Sequence, residues 1–400
     1  MQISKVEAIR IAEPQWEDMP WWCTGPTDAL AGGPQTLRER QSGLFNRRPG
    51  GPKDEVFAVI VRVSTTDGLH GLGCIALGSE AAATIVERHL APLVLGASPF
   101  DTEFLWELMF RSSVNIGRRG LVLAAISGID IAIWDILGKA LGQPVYNLIG
   151  GRTRSSIRAY LSSGYAMEDL DRLGEIARTH LADGYTAMKM RFGYGPVDGR
   201  AGMRKNVELV KTLRDAIGDD VDLMGDAYMG WNRQYAIEMI RMLEDYNLAW
   251  VEEPLMPDDI DGYAAVKAAS RTAIAAGEHE ATRWGFRAMI QSKAVDYIQF
   301  DANRVGGLTE SRKIIALAAA HDLPCVPHGP NYHNAHLVMA NTHMPLIEMF
   351  PRDYRDGDTF IAELFTGDPV ARGGQVTLSE QPGMGVKLNM DVVEKYRVRR

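Results

Sequence analysis

Three carboxylates recur at equal intervals of 26 residues: Asp226 in LMGDAY, Glu252 in WVEEP and Glu278 in AAGEH. Each closes a short apolar run of strand character. Carboxylates that converge on one spot repel and push each other's pKa upward, and a divalent cation between them relieves the repulsion. Oxygen donors without a cysteine or a close histidine pair select Mg²⁺ over zinc. A Mg²⁺ with open positions holds a substrate carboxylate and stabilises an enediolate formed beside it. Other ionisable residues end apolar runs in the same way: Lys189 with Arg191, Asp301, His328 and Glu348. Lys189 and Arg191 stand two apart and so leave one face of a strand. A hydrogen bond donated to Asp301 would fix the tautomer of His328 and raise its basicity, making a general base. Glu348 is placed to donate a proton or hydrogen bond opposite the metal, provided that burial raises its pKa. Each residue alone has a plainer reading as a helix cap or a hydrogen-bonded core group. Their joint recurrence does not, because the core of an α/β barrel calls for Val, Ile and Leu at such positions.

The interval of one strand, one helix and two loops is that of consecutive βα units, and a (β/α)₈ barrel gathers the C-terminal ends of its strands at one mouth. Strands are expected at 156–160, 186–190, 222–226, 249–252, 273–278, 297–301, 324–328 and 345–348. Helical periods fill most of the gaps, as over 203–217, where Met203, Val207, Val210 and Ile217 share a face. Upstream, residues 3–12 suit a strand, and VFAVIVRVSTTDGLHGLGCIA reads as two strands turning at Asp67-Gly68. Helices are expected at 79–93, 101–112 and 121–141, the last apolar and ended by Pro144 and Gly150-Gly151. The stretch 13–53, rich in Pro, Gly, Trp and Arg, reads as a lid loop whose tryptophans, Trp22 among them, pack over a ligand; a plain insertion is the alternative. The fold class is therefore α/β: a modified TIM-type barrel at 121–361, an α+β capping domain at 1–120, and a segment at 362–400 returning to the cap.

Four hundred residues accommodate both parts, since a barrel alone takes roughly 250. With 46% hydrophobic and 24% charged residues the chain is globular, and a net charge of −8 with dispersed basic residues argues against nucleic acid. Three cysteines without paired spacing indicate neither a disulfide framework nor a zinc site. Without a basic leader or an apolar run of about 18 residues, a soluble cytoplasmic protein with no membrane partner is expected.

The stretch ISGIDIAIWDILGKALGQPVYNLIGG, KMR at 189–191, the three carboxylates, FDANRVGGLTE at 300–310, PHG at 327–329 and the closing PGMGVKLN together resemble the enolase superfamily, in its mandelate racemase subgroup. The likeness covers essentially the whole chain. It implies Mg²⁺ on Asp226, Glu252 and Glu278, an Asp301–His328 dyad, and Glu348 as the electrophilic acid. Within the subgroup, KMRFGYGPVDGRAGMRKN, DAY and GEH resemble rhamnonate dehydratases and related acid-sugar dehydratases. Two departures stand out. Arg191 replaces the second lysine that many members use as a base, and a permanently charged guanidinium is an anchor rather than a base. The substrate-binding histidine of rhamnonate dehydratases has no match in 13–53.

The resemblance thus implies a Mg²⁺-dependent aldonate dehydratase. His328 would take the proton alpha to the carboxylate, and the 3-hydroxyl would leave, giving a 2-keto-3-deoxy acid. Lys189 and Arg191 would steady the carboxylate or enediolate, and His279 would contact a hydroxyl. L-rhamnonate, L-lyxonate and L-mannonate are the first candidate substrates. A racemase, epimerase or cycloisomerase working through the same enediolate, and a catalytically inactive sugar-acid-binding barrel, are the alternatives. A homo-oligomer is expected from the likeness alone.

Overall fold

The computed structural model describes residues 1–12, 21–30, 56–75, 79–351 and 357–399. Most of the expected 13–53 lid, Trp16 included, lies outside the described residues. Strand β1 (Ile3–Ala12) is followed by the two-residue β2 (Trp21–Trp22), then by β3 (Val56–Thr65) and β4 (His70–Ile75). The turn between β3 and β4 passes through Asp67 and Gly68, where φ is +89°, the left-handed geometry glycine adopts without cost. β1, β3 and β4 form an antiparallel sheet, and the helix Leu121–Leu141 lies on it.

Glycine makes that contact possible. A Cβ on Gly71 would sit 1.9 Å from the Ala132 carbonyl oxygen, and one on Gly73 would sit 2.0 Å from that of Gly128. The helix is long and apolar enough to span a membrane, yet 94% of its apolar window is buried inside the protein. The expected helix at 79–93 is instead three short segments, with a π-helical stretch at Ile85–Leu90 and Pro92 in the last.

The barrel strands are β5 (Ile157–Gly164), β7 (Ala187–Arg191), β8 (Asp222–Asp226), β9 (Leu248–Glu252), β10 (Ile274–Ala276), β11 (Tyr297–Ile298) and β12 (Ile347–Met349); a short β6 (Ala166–Met167) follows β5 and pairs with β2. They run parallel in the order β12, β5, β7, β8, β9, β10, β11. The expected strand at 324–328 is reduced to a single bridge between Cys325 and Ile298. Pro324 and Pro327 have no N–H to offer a ladder, which accounts for the loss.

Inside the barrel Tyr160, Ala187, Met224, Trp250, Ala275, Val326 and Leu346 pack as one apolar cluster. Two residues beyond five of these come Lys189, Asp226, Glu252, His328 and Glu348. Because side chains alternate along an extended chain, each of the five projects into the same interior one tier nearer the strand ends. The C-terminal segment touches both parts: Gln375–Val376 pairs with β5, and Val398 donates to Arg10 O at 2.9 Å.

Candidate active site

The strand register brings the charged tier together. Arg191 is level with Asp226, and Asp226 with Glu252, on adjacent strands. Glu278 follows β10 by two residues, and Asp301 follows β11 as the N-cap of a short helix, accepting from Asn303 N at 2.7 Å. His328 is held by its own N–H on Phe300 O at 2.9 Å. Lys189, Arg191, Asp226, Glu252, Glu253, Glu278, Asp301, His328 and Glu348 are all buried. Left-handed backbone occurs at the same rim: Tyr228 (φ +42°) and Met229 (φ +60°) follow Asp226, and Glu253 (φ +38°) follows Glu252. Non-glycine residues pay for such angles, and they persist where surrounding contacts enforce them, commonly at functional sites.

Lys189 Nζ lies 2.5 Å from Glu252 Oε1, 2.8 Å from Glu348 Oε1 and 3.8 Å from Asp226 Oδ2. Burial alone would lower its pKa, but the carboxylates, Glu252 first, hold it well above the ordinary lysine value. Glu348 behaves oppositely to the sequence expectation. Burial does push it upward, yet Lys189, His328 and the Gly329 N–H (2.7 Å) outweigh that and bring it down to about 2. It is ionised and accepts hydrogen bonds. Arg191 Nη1 is 3.5 Å from Asp226 Oδ2, and its buried Nε has no hydrogen-bond partner.

His328 Nδ1 meets Asp301 Oδ2 at 3.0 Å, and its Nε2 lies 3.3 Å from Glu278 Oε1. Burial opposes protonation, but Glu278 and the Asp301 hydrogen bond raise the imidazole to about 9. Arg304 grips the same two oxygens, Glu278 Oε1 at 2.8 Å and Asp301 Oδ2 at 3.3 Å. His279 donates through Nδ1–H to Glu253 Oε2 (2.8 Å), and its Nε2 stands 3.9 Å from Glu278. Trp22 is buried, and its indole N–H is committed to Gly193 O at 2.9 Å.

The donor set fits a divalent cation. Six buried carboxylates, Asp226, Glu252, Glu253, Glu278, Asp301 and Glu348, face the cations Lys189, Arg191 and Arg304, and their negative charge also draws His328 and His279 toward protonation. Burial and mutual repulsion raise Asp226 and Glu252, and Asp226 Oδ2 is buried without a hydrogen-bond partner. Such an excess of negative charge in a low-dielectric interior is relieved by a bound cation. Among the described residues, the donors that already lie within 4.8 Å of one another are those of Glu253, Glu278 and His279. The Glu253–His279 hydrogen bond accounts for that grouping. Glu252 is meanwhile turned toward Lys189, Trp250 Nε1 (3.0 Å) and Gln299 Nε2 (2.7 Å).

Of the residues singled out in the sequence, those on the strand ends converge. Glu253, Arg304, Tyr165 and Tyr228 were not singled out as site residues. Arg304 and Tyr228 stood inside the motifs FDANRVGG and DAY, whereas nothing local marks Tyr165.

Residues 51–150 match the family described as Mandelate racemase / muconate lactonizing enzyme, N-terminal domain, and residues 172–392 match Enolase C-terminal domain-like. An L-rhamnonate dehydratase of Saccharopolyspora erythraea is 38% identical over 339 residues, 84% of this chain and 84% of that protein. The crystal structure of rhamnonate dehydratase from Gibberella zeae complexed with Mg is similar with a TM-score of 0.85 and 31% identity, covering 99% of this chain and 96% of that one. The 3,6-anhydro-D-galactonate cycloisomerase of Zobellia galactanivorans is similar with a TM-score of 0.82 and 28% identity, covering 100% of both chains.

Proposed function

We propose, from the premise that this chain belongs to the mandelate racemase / muconate lactonizing enzyme family of the enolase superfamily, that it is an acid-sugar dehydratase acting on L-rhamnonate or an aldonate of like configuration. Asp226, Glu252 and Glu278 would hold Mg²⁺, which supplies charge stabilisation for the enediolate. The observation that carries the reading is the His328–Asp301 pair at 3.0 Å beside that carboxylate cluster. With Nδ1–H donated to Asp301, and with the Glu278 charge that raises the imidazole taken up by Mg²⁺, Nε2 would be the basic nitrogen. It takes the C2 proton, leaving an enediolate whose negative charge Lys189 steadies while Arg191 holds the carboxylate end. The C3–O bond then breaks, and His328 returns its proton to the departing hydroxyl as water. The C2–C3 enol takes a solvent proton at C3 and becomes the 2-keto-3-deoxy acid. His279 would meet a substrate hydroxyl.

Lys189 argues against a two-base racemase. Held protonated by Glu252 and Glu348, it is an electrostatic group and not a second base. The test is incubation with Mg²⁺ and L-rhamnonate, L-lyxonate and L-mannonate separately, trapping 2-keto product with semicarbazide. Keto-acid formation from at least one is expected. No product from any of them would refute the assignment.

A further inference from the structure

Arg191 is held in an unusual way for a buried guanidinium. Such groups are normally fixed by a bidentate carboxylate. Here, among the described residues, the one ion pair, to Asp226, is 3.5 Å long, and Nε is buried without a hydrogen-bond partner. Two aromatic rings flank it instead: the guanidinium carbon lies 5.3 Å from the Tyr165 ring centroid and 5.6 Å from that of Tyr228. Each ring is itself backed. Trp21 stacks on Tyr165 at 4.0 Å and 30°, and Tyr228 meets His279 edge-on at 5.7 Å. A continuous column of rings therefore runs from β2 through Arg191 to His279.

We propose that Tyr165 and Tyr228 are positioning residues that fix the plane of Arg191, so that its unspent N–H edge receives the carboxylate of the substrate. A cation between two π-faces is confined in tilt while its in-plane donors stay open. A buried donor without a partner is a site awaiting an acceptor. The backbone points the same way. Tyr228 holds φ +42°, and its N–H is tied to Asp226 Oδ1 at 2.8 Å, so the ring is placed at a conformational cost that the Asp226 carboxylate enforces. The role of Arg191 as carboxylate anchor rests on the function proposed above; the ring column does not.

The test compares Tyr165→Leu, Tyr228→Leu, Tyr165→Phe, Tyr228→Phe and Arg191→Lys in Mg²⁺-loaded protein. Three readouts are taken: kcat and KM with L-rhamnonate, calorimetric affinity for tartronate as a minimal hydroxy-carboxylate, and Mg²⁺ affinity. Each leucine variant is expected to raise KM and weaken tartronate by about ten-fold, with kcat and Mg²⁺ affinity changed far less. The phenylalanine variants keep the π-face and should stay within about three-fold of wild type. Arg191→Lys should cost about ten-fold in wild type but add little to Tyr228→Leu, because the tyrosine acts through the arginine. Unchanged tartronate affinity in both leucine variants, phenylalanine variants as weak as leucine ones, or fully additive losses would each overturn the proposal. If a leucine variant melts early, the phenylalanine comparison and the Arg191→Lys cycle with the other tyrosine decide. If wild type does not dehydrate L-rhamnonate yet tartronate binding follows this pattern, the positioning role stands and the substrate assignment falls.

Discussion

In the proposed dehydration, His328 is the residue on which the chemistry turns. His328→Asn removes the base while leaving a side chain of similar reach, so turnover should fall by at least about a thousand-fold with Mg²⁺ affinity retained. Asp301→Asn, which weakens the tautomer-fixing hydrogen bond at 3.0 Å, should cost less, about a hundred-fold. Steady-state kinetics beside calorimetric Mg²⁺ titration check both; an active His328→Asn protein would move the base elsewhere. These residues were legible in the sequence because a charged side chain at the end of an apolar strand has no place in a barrel core. The protonation state of Glu348 was not legible. It depends on Lys189 at 2.8 Å, a contact between strands far apart in the chain, which reverses the upward shift that burial alone predicts. Tyr165 escaped notice for a similar reason, since only the fold lays it against Arg191 and Trp21.

Elements place these residues by two contacts. Within the barrel, period-two alternation lifts each functional group one tier above an apolar neighbour, as with Trp250 and Glu252 or Val326 and His328. Outside it, the helix Leu121–Leu141 ties cap to barrel. Ser127 Oγ accepts from Gly306 N at 2.9 Å, and Asp130 accepts from Thr309 N at 2.9 Å. Those bonds pin the chain that follows Asp301 and Arg304. The opposite face of the helix rests on Gly71 and Gly73, so Gly73→Ala must push the helix off the sheet. It should lower unfolding free energy by about 3 kcal/mol, measured by denaturant titration, whereas Gly68→Ala, in open space but at positive φ, should cost about 1 kcal/mol. Equal losses would mean that the close approach carries no weight. Strand positions read from sequence agree closely for β7, β8 and β9, where the apolar run and its terminal charge coincide. Agreement fails at 324–328, where proline removed the ladder donors that an apolar pattern does not reveal.

At the scale of the whole molecule, two buried histidines of the helix Tyr332–Ala340 should contribute a pH dependence to stability. Burial holds His333 and His336 down at about 4, and both rings are therefore neutral in the folded protein at neutral pH. His336 is fixed by Tyr146 N at 3.0 Å and Met384 O at 3.2 Å, while both ring nitrogens of His333 are without hydrogen-bond partners. Unfolded histidine titrates near 6.5, so between about 6.5 and about 4 the unfolded chain binds protons that the folded one refuses. Their contribution is full above pH 6.5 and is lost as pH falls through that window, by about 3 kcal/mol apiece. His333→Phe should accordingly flatten the decline in melting temperature between pH 6.5 and 4 relative to wild type; an unchanged slope would exclude His333 as a source.

At the same scale, dehydration and epimerisation part company in heavy water. L-rhamnonate and Mg²⁺ incubated with the protein in D₂O should yield a 2-keto-3-deoxy acid carrying one solvent deuterium at C3, with no deuterium appearing at C2 of an inverted aldonate. Deuterium at C2 of an epimer, without loss of water, would contradict single-base dehydration by His328.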